Sequence, residues 1–366
     1  MKKTLVLWLT VVALAACESH DPIRIGFIGG LSDRNSDTGQ AGLNAVQMAV
    51  GEVNRQGGIH GRLIELLVRD DAQKKEVAAQ AAQELAAAKV EAVIGPFSSG
   101  MAEVIVPVLG EAGIFEVSPT ITSMAFYGKD DNLFRINRTT RDNAGDYARI
   151  LVGRGQRHIA VAYDLRNRNF TESWLNEFRQ ATSALGTQLA AVVPYESSEN
   201  TDFSKVVDQM LSSHPDGLFF ISAAVDVARL SREARKQAKG LPIGASEWAG
   251  TEQLTKLGGQ VVDGLLIIQN HNRNDTSATY QAFADGYQQR YRQLPGYSSV
   301  MAHDAATVIL TALRNRKKGE SLKNAALRSG PYAGLQQEMV FDGNGDSNRN
   351  VYFTEIRQGN FVLIPQ

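Results

Sequence analysis

The sequence predicts an α/β protein of two doubly wound lobes joined by several crossings, with a ligand cleft between them. Three observations carry that expectation. Apolar, β-branched runs of strand length alternate with stretches whose apolar residues recur every three or four positions, joined by short polar turns. The alternation runs to Ser118 and then restarts, and the chain of 366 residues exceeds the ~100–200 typical of one domain. No Pro/Gly/Ser-rich linker separates the two units, so several short crossings are expected and no single flexible tether.

Each element has its own signal. Ile23 to Gly29 is an apolar run ending in glycine, as a buried parallel strand would be. Leu43, Val46, Val50 and Val53 mark one face of a helix stopped at Gly57-Gly58. Leu63 to Arg69 is a strand, and the helix from Lys74 to Lys89 follows, with Val77, Ala81 and Leu85 predicted to be buried. Val90 to Gly95 is a third strand; Met101, Ile105, Val108 and Leu109 face inward on a third helix, and Ile114 to Ser118 is a fourth strand. In the second unit, Ala144, Tyr147, Ala148 and Leu151 mark a helix, His158 to Tyr163 a strand, and Trp174, Phe178, Ala181 and Leu185 a helix. The pattern continues through Gln188 to Pro194, Phe203 to Leu211, Gly217 to Ser222, Val225 to Lys239 and Leu241 to Ala245. From about Leu265 a strand, helices around Tyr280 to Tyr291 and Ala302 to Arg314, and strands near Met339 and Tyr352 are expected to complete the sheets of both lobes.

The first residues read as an export signal. Lys2 and Lys3 precede the apolar run Leu5 to Ala13, which is too short for the roughly 20 residues of a membrane helix. Leu14-Ala15-Ala16-Cys17 resembles the lipobox of bacterial lipoproteins, with cleavage after residue 16 and lipidation of Cys17. Residues 17–22 then form a lipidated tether. Cys17 is the only cysteine, so no intramolecular disulfide, thiolate metal cluster or cysteine nucleophile exists in the fold. A net charge of −1 without basic runs gives no reason to expect nucleic acid.

The usual enzyme signatures fail at identifiable positions. Gly95 and Gly100 have the glycine spacing of a phosphate loop, but Met101 and Ala102 stand where Lys and Ser/Thr are required. No Gly-x-Gly-x-x-Gly follows the first strand. Gly244-Ala245-Ser246-Glu247-Trp248 begins like a nucleophile elbow and ends in Trp instead of Gly. The six histidines show neither zinc-ligand nor triad spacing, although His303, near a predicted helix start, is singled out. Asp342, Asn344, Asp346 and Asn348 alternate like a calcium loop, with Ser347 and Phe353 where Gly and Glu are needed; Asx-stabilised turns are the better reading. No catalytic residue, metal or cofactor is expected.

What remains points to binding. Val93 to Ser123 reads as a strand, a helix opened by Ser98 and Ser99, a second strand, and the polar turn Ser118-Pro119-Thr120-Ile121-Thr122. The unpartnered N–H groups at a helix N-terminus seat an anion, a carboxylate as well as a phosphate. Glu247 follows a strand directly, where ligands of parallel sheets gather. Its position fits a cation partner in the cleft and the first acidic residue of a helix equally.

With these residues assembled, the chain resembles the periplasmic binding proteins for branched-chain amino acids (Leu/Ile/Val type) of ABC transporters, of the type I periplasmic binding fold with two Rossmann-like lobes. Further segments carrying the resemblance are Ile25 to Ser32, Gly57-Gly58-Ile59-His60-Gly61, Asp70-Asp71-Ala72, Val93-Ile94-Gly95 and Ser118-Pro119. It implies lobes of residues 23–137 plus 268–345 and 138–267 plus 346–366. It places Phe97, Ser98 and Ser99 at one cleft loop and Thr120, Ile121 and Thr122 at another, with Ser99 and Thr122 on the α-carboxylate and Glu247 on the ammonium. The pattern departs at the ligand's side chain: Thr38 replaces a tryptophan, Phe170 lies near a cleft tyrosine, and Ala223 and Ala224 fall where tyrosines would be. Trp248 is expected either to refill part of that space or to stack on an aromatic or amide group. The family's disulfide positions are Gln73 and Ser98 here. The implied function is a monomeric, lipid-anchored solute-binding protein on the periplasmic side. It would close over an amino acid or small carboxylate and deliver it to an inner-membrane permease. The alternative is an envelope structural or regulatory lipoprotein that uses the same fold to bind a protein partner.

Overall fold

The computed structural model describes residues 21–33 and 36–365. The expected export signal and the expected lipidation site, Cys17, lie outside the described residues. The first unit runs β1 (Ile23–Gly29), α1 (Asp37–Arg55), β2 (Ile64–Asp70), α2 (Lys75–Ala87), β3 (Ala92–Ile94), α3 (Ser99–Glu111), β4 (Phe115–Ser118) and β5 (Leu133–Arg135). Its strands are all parallel, in the order β2-β1-β3-β4-β5. The side-by-side order reverses at β1, because β2 lies on one side of it and β3 on the other. That reversal opens a crevice at the carboxyl ends of β1 and β3.

The second unit runs α4 (Thr140–Gly153), β6 (His158–Asp164), α5 (Arg168–Ala184), β7 (Gln188–Tyr195), α6 (Phe203–Leu211), β8 (Gly217–Ile221), α7 (Ala224–Gln237), β9 (Ile243–Ala245), α8 (Glu252–Gly258) and β10 (Leu266–Gln269). Then come α9 (Ala278–Tyr291), α10 (Tyr297–Asn315), α11 (Leu322–Ser329), β11 (Tyr332–Ala333), β12 (Glu338–Met339), β13 (Tyr352–Arg357) and β14 (Asn360–Leu363). The second sheet is ordered β14-β13-β10-β9-β8-β6-β7, with β13 and β14 antiparallel at one edge. It reverses at β6, opening a second crevice that faces the first.

The returning segment serves the two units differently. It adds β10, β13 and β14 to the second sheet but no named strand to the first, which instead gains helices. Buried residues of α9, α10 and α11 join α1 and β1 in one apolar core, including Tyr287, Met301, Ile309 and Ala325. The expectation that this segment completes both sheets is corrected accordingly. A further correction concerns α2: Val77 is 37 % exposed, and Ala78, Ala81, Ala82 and Leu85 form the buried face. An alanine-rich helix writes its inward face weakly, so one residue of rotation is decided by packing.

The chain passes between the units after β5, after β10 and before β13. Two of these passes are fastened together by a buried ion pair: Arg135 donates to Asp346 through Nε at 2.6 Å, and the Gly128 N–H donates to the other carboxylate oxygen at 2.7 Å. Ser347 Oγ donates to the Ile136 carbonyl at 2.6 Å beside it. The Asp342 carboxylate accepts the N–H groups of Asn344 and Asp346, the Asx-turn arrangement expected from the alternating Asp/Asn pattern.

Candidate functional site

The two crevices close on one another around a cavity. It is lined by Gly30, Thr38, Gly39, Gln73, Phe97, Ser98, Ser99 and Thr120 from the first unit and Asn167, Phe170, Glu247, Trp248 and Asn270 from the second, with Tyr297 at the start of α10. The sequence-predicted residues Thr38, Phe97, Ser98, Ser99, Thr120, Phe170, Glu247 and Trp248 are brought together here. Four others lie off the wall. Ile121 packs with Ala102, Phe126 and Leu133 in a small separate core. Ala223 stands at the N-terminal boundary of α7, and Ala224 packs into the core beneath β8. The Thr122 hydroxyl lies 3.5 Å from Glu247 Oε1, so it supports that acid from behind.

Backbone geometry brings the loops this close. Gly95, which ends the third strand run, has φ +129°, and a Cβ there would meet the Ile28 carbonyl oxygen at 2.2 Å. Gly42 lets α1 approach the Phe97 ring, where a Cβ would fall 2.3 Å from a ring carbon. The α3 N-terminus presents Ser98 at the N-cap and Ser99 as the first helical residue. Both hydroxyls are buried without a partner, and Ser98 makes no capping bond to its own helix. A helix start with two free hydroxyls at the positive end of its dipole is an anion seat. Across the cavity mouth, Asn167 Oδ1 accepts the Gly100 N–H at 2.9 Å, which ties the helix start to the second unit.

Glu247 opposes this seat in charge. It opens a 3-10 turn directly after β9 and is 5 % exposed. Its Oε1 accepts from Asn143 Nδ2 at 3.0 Å, and its Oε2 accepts from the Trp174 indole N–H at 2.9 Å. All these donors are neutral, and none of the side chains lining the cavity is basic. Burial raises the Glu247 carboxyl above the ordinary range, against the lowering effect of the donors. The carboxylate is therefore held in place and kept short of positive charge. Aromatic rings close one side, with Phe170 and Trp248 meeting edge to face at 5.7 Å.

The residues that sequence reasoning did not single out as site residues are Gly30, Gly39, Gln73, Asn167, Asn270 and Tyr297. Gln73 follows Asp70-Asp71, and Asp71 fixes it by accepting its N–H at 2.8 Å and its side-chain amide at 3.0 Å. A position just past a strand end was the available signal for Gln73 and Asn270; Tyr297 begins a helix and carried none. His303 is not at the cavity; it packs against Phe283 within the first unit. Among the described residues no group of His, Cys, Asp or Glu is arranged to hold a metal ion.

Residues 22–360 match the periplasmic binding protein family. A Leu/Ile/Val-binding protein of Rhizobium johnstonii is 24 % identical over 315 residues, 85 % of this chain and 83 % of its own. The leucine-binding protein LivK of Thermotoga maritima superposes with a TM-score of 0.86 at 22 % identity, covering 94 % of this chain and 98 % of that one. A solute-binding protein of R. palustris, solved in complex with benzoate, superposes with a TM-score of 0.82 at 16 % identity, covering 94 % and 95 %. Two facing doubly wound lobes, a cavity at their strand ends and a family match across almost the whole chain agree: this protein belongs to the periplasmic binding protein family.

Proposed function

We propose that this chain is the solute-binding component of an ABC importer and that it closes over one α-amino acid. The observation that carries the reading is Glu247, a buried carboxylate on the cavity wall with neutral donors and no basic neighbour in the lining. A buried charge is tolerable only when paired, and a ligand ammonium completes the pair. The Ser98–Ser99 helix start answers the ligand's carboxylate. Benzoate, held by the R. palustris relative, carries no ammonium and would leave Glu247 unanswered.

The mechanism is differential affinity. The seat lies in one lobe and Glu247 in the other, so a zwitterion touches both only when the lobes close, and binding draws the hinge equilibrium toward closure. No bond is made or broken. Strand membership supports lobes close to 23–137 plus 268–345 and 138–267 plus 346–366, except that β10 keeps residues through Gln269 in the second lobe and moves the central crossing to just after it. The reading includes export by residues 1–16, a lipid on Cys17, residence on the periplasmic side and delivery to a membrane permease. Metabolic labelling with a fatty acid, lost in Cys17→Ala, checks the anchor.

Calorimetric titration with matched pairs tests the ligand class: α-amino acids against the same acids lacking the amino group. Amino acids are expected to bind and the amino-free acids to bind at least tenfold more weakly, as for loss of a charged hydrogen-bonded pair. Equal affinity within each pair would reject the reading.

A further inference from the structure

We infer that Asn270 reads the ligand's side chain and that the site takes an amino acid ending in a carboxamide. The inference rests on the amino-acid reading above and adds a substrate class to it. Asn270 stands one residue past the end of β10, lines the cavity and is 4 % exposed. Neither its amide nitrogen nor its amide oxygen has a hydrogen-bond partner. A buried amide left bare on both atoms is costly, and native structures rarely keep one without a reason. Its complement is a group that offers an acceptor and a donor in one plane. Another carboxamide does this; an aliphatic side chain answers neither atom, and a carboxylate answers only the nitrogen.

The surroundings agree. β10 and β9 are parallel neighbours with Ile267 opposite Ala245, so Asn270 and Glu247 leave the sheet from adjacent strand ends. The ammonium partner and the amide reader thus share one wall, and the carboxylate seat lies on the other lobe. Gln73 adds a second amide to the lining, oriented by Asp71. Trp248 and Phe170 supply aromatic faces, and an amide plane packs well on such a surface. A site for leucine would have no use for a buried amide left bare on both atoms.

The test is isothermal titration of the full mature chain with L-glutamine, L-asparagine, L-methionine and L-leucine, repeated with Asn270→Leu and Asn270→Ala. Glutamine or asparagine is expected to bind at least about tenfold tighter than methionine and leucine, the effect of leaving a buried polar group unanswered. Asn270→Leu is expected to cancel or reverse that preference. Methionine or leucine binding as tightly as the amides to the unsubstituted protein overturns the inference and leaves the amino-acid reading standing. So does an Asn270→Ala variant that weakens all four ligands equally. Failure of every amino acid to bind rejects both. The selectivity of the unsubstituted protein decides the matter even if a variant misfolds.

Discussion

Trp174 donates its indole N–H to Glu247 at 2.9 Å from within the aromatic core of the second lobe, where it packs edge-on and tilted against Tyr147, Phe178 and Phe219. The donor is thus immobilised by packing, and the carboxylate it holds is fixed relative to the sheet. Trp174→Phe keeps most of the packing and removes the donor. A hydrogen bond to a charged group contributes about 1.5–3 kcal/mol, so amino-acid affinity at neutral pH should fall roughly tenfold or more. Calorimetry on the variant, with circular dichroism to confirm its fold, checks this.

Glu247→Gln should separate stability from binding. Burial raises the Glu247 carboxyl, so its ionised form opposes folding at neutral pH. The amide removes that cost and can pair with Trp174 and with the free Oδ1 of Asn143. The unliganded variant should melt no lower than the parent, yet lose the melting shift that amino acids produce. In the parent, affinity should decline as pH falls through the raised carboxyl value, because a protonated Glu247 cannot pair with an ammonium. A variant that binds amino acids as well as the parent at pH 7 would show that the acid has another role.

Asp71 and Glu116 make the stability of the fold rise on mild acidification. Burial pushes Asp71 up to about 6 from 3.8, and Glu116, fully buried with neither oxygen bonded, is raised well above 4.5 by the same cause. Each folded value lies above the unfolded one, so the folded state keeps a proton that the unfolded chain has lost. Their contribution to stability therefore increases as pH falls through the folded value and is complete below the unfolded one. The Asp71 displacement corresponds to about 3 kcal/mol, at ~1.4 kcal/mol per pH unit. Denaturant titrations at pH 7 and pH 5 should show Asp71→Asn and Glu116→Gln less pH-dependent than the parent and more stable at pH 7.

The Arg135–Asp346 pair holds two inter-lobe passes together, and its partners are 1 % and 7 % exposed at the side chain. Removing one member of a buried pair costs about 3–5 kcal/mol, because the other charge stays buried. Arg135→Met should lower stability by that amount, and Arg135→Met with Asp346→Leu should recover part of it. Thermal denaturation of the single and double variants measures the coupling.

Gly42→Ala should act on the site through Phe97. The added Cβ would overlap the ring at 2.3 Å, so the ring must turn into the cavity it lines. Overpacking costs about 1–3 kcal/mol. Affinity should drop with a smaller loss of melting temperature, since alanine favours the helix that glycine weakens. A ligand titration beside a melting curve distinguishes the two effects.

Much of this site was legible because its residues sit at strand ends, and strand ends are written locally. Ser98, Ser99, Thr120 and Glu247 each lie within a few residues of the end of an apolar run, and the alternation of runs gives the parallel sheets that bring such ends together. What reaches the wall from a helix is harder to see. Tyr297 lies at the start of α10, a helix buried on almost every side, so no periodic stripe marks which of its residues reaches the cavity. Thr122 illustrates the same limit in the other direction: its neighbourhood was readable, but whether its hydroxyl met a ligand or Glu247 depended on a residue 125 positions away.

The sequence by itself determined the two doubly wound lobes, the buried strand runs, the helix start at Ser98 and Ser99, and the exclusion of the common catalytic motifs. Those are properties of spacing along the chain, fixed by repeats of two or about 3.6 residues. Only the tertiary structure decided that Ala78, not Val77, faces inward on α2. It also decided that the last segment gives the first lobe helices, that Trp174 and Asn143 hold Glu247, and that Asn270 stands bare beside it. Each of these depends on which elements the sheet order places together. Partners separated by about a hundred residues, such as Asn143 and Glu247, leave no periodic trace in the sequence.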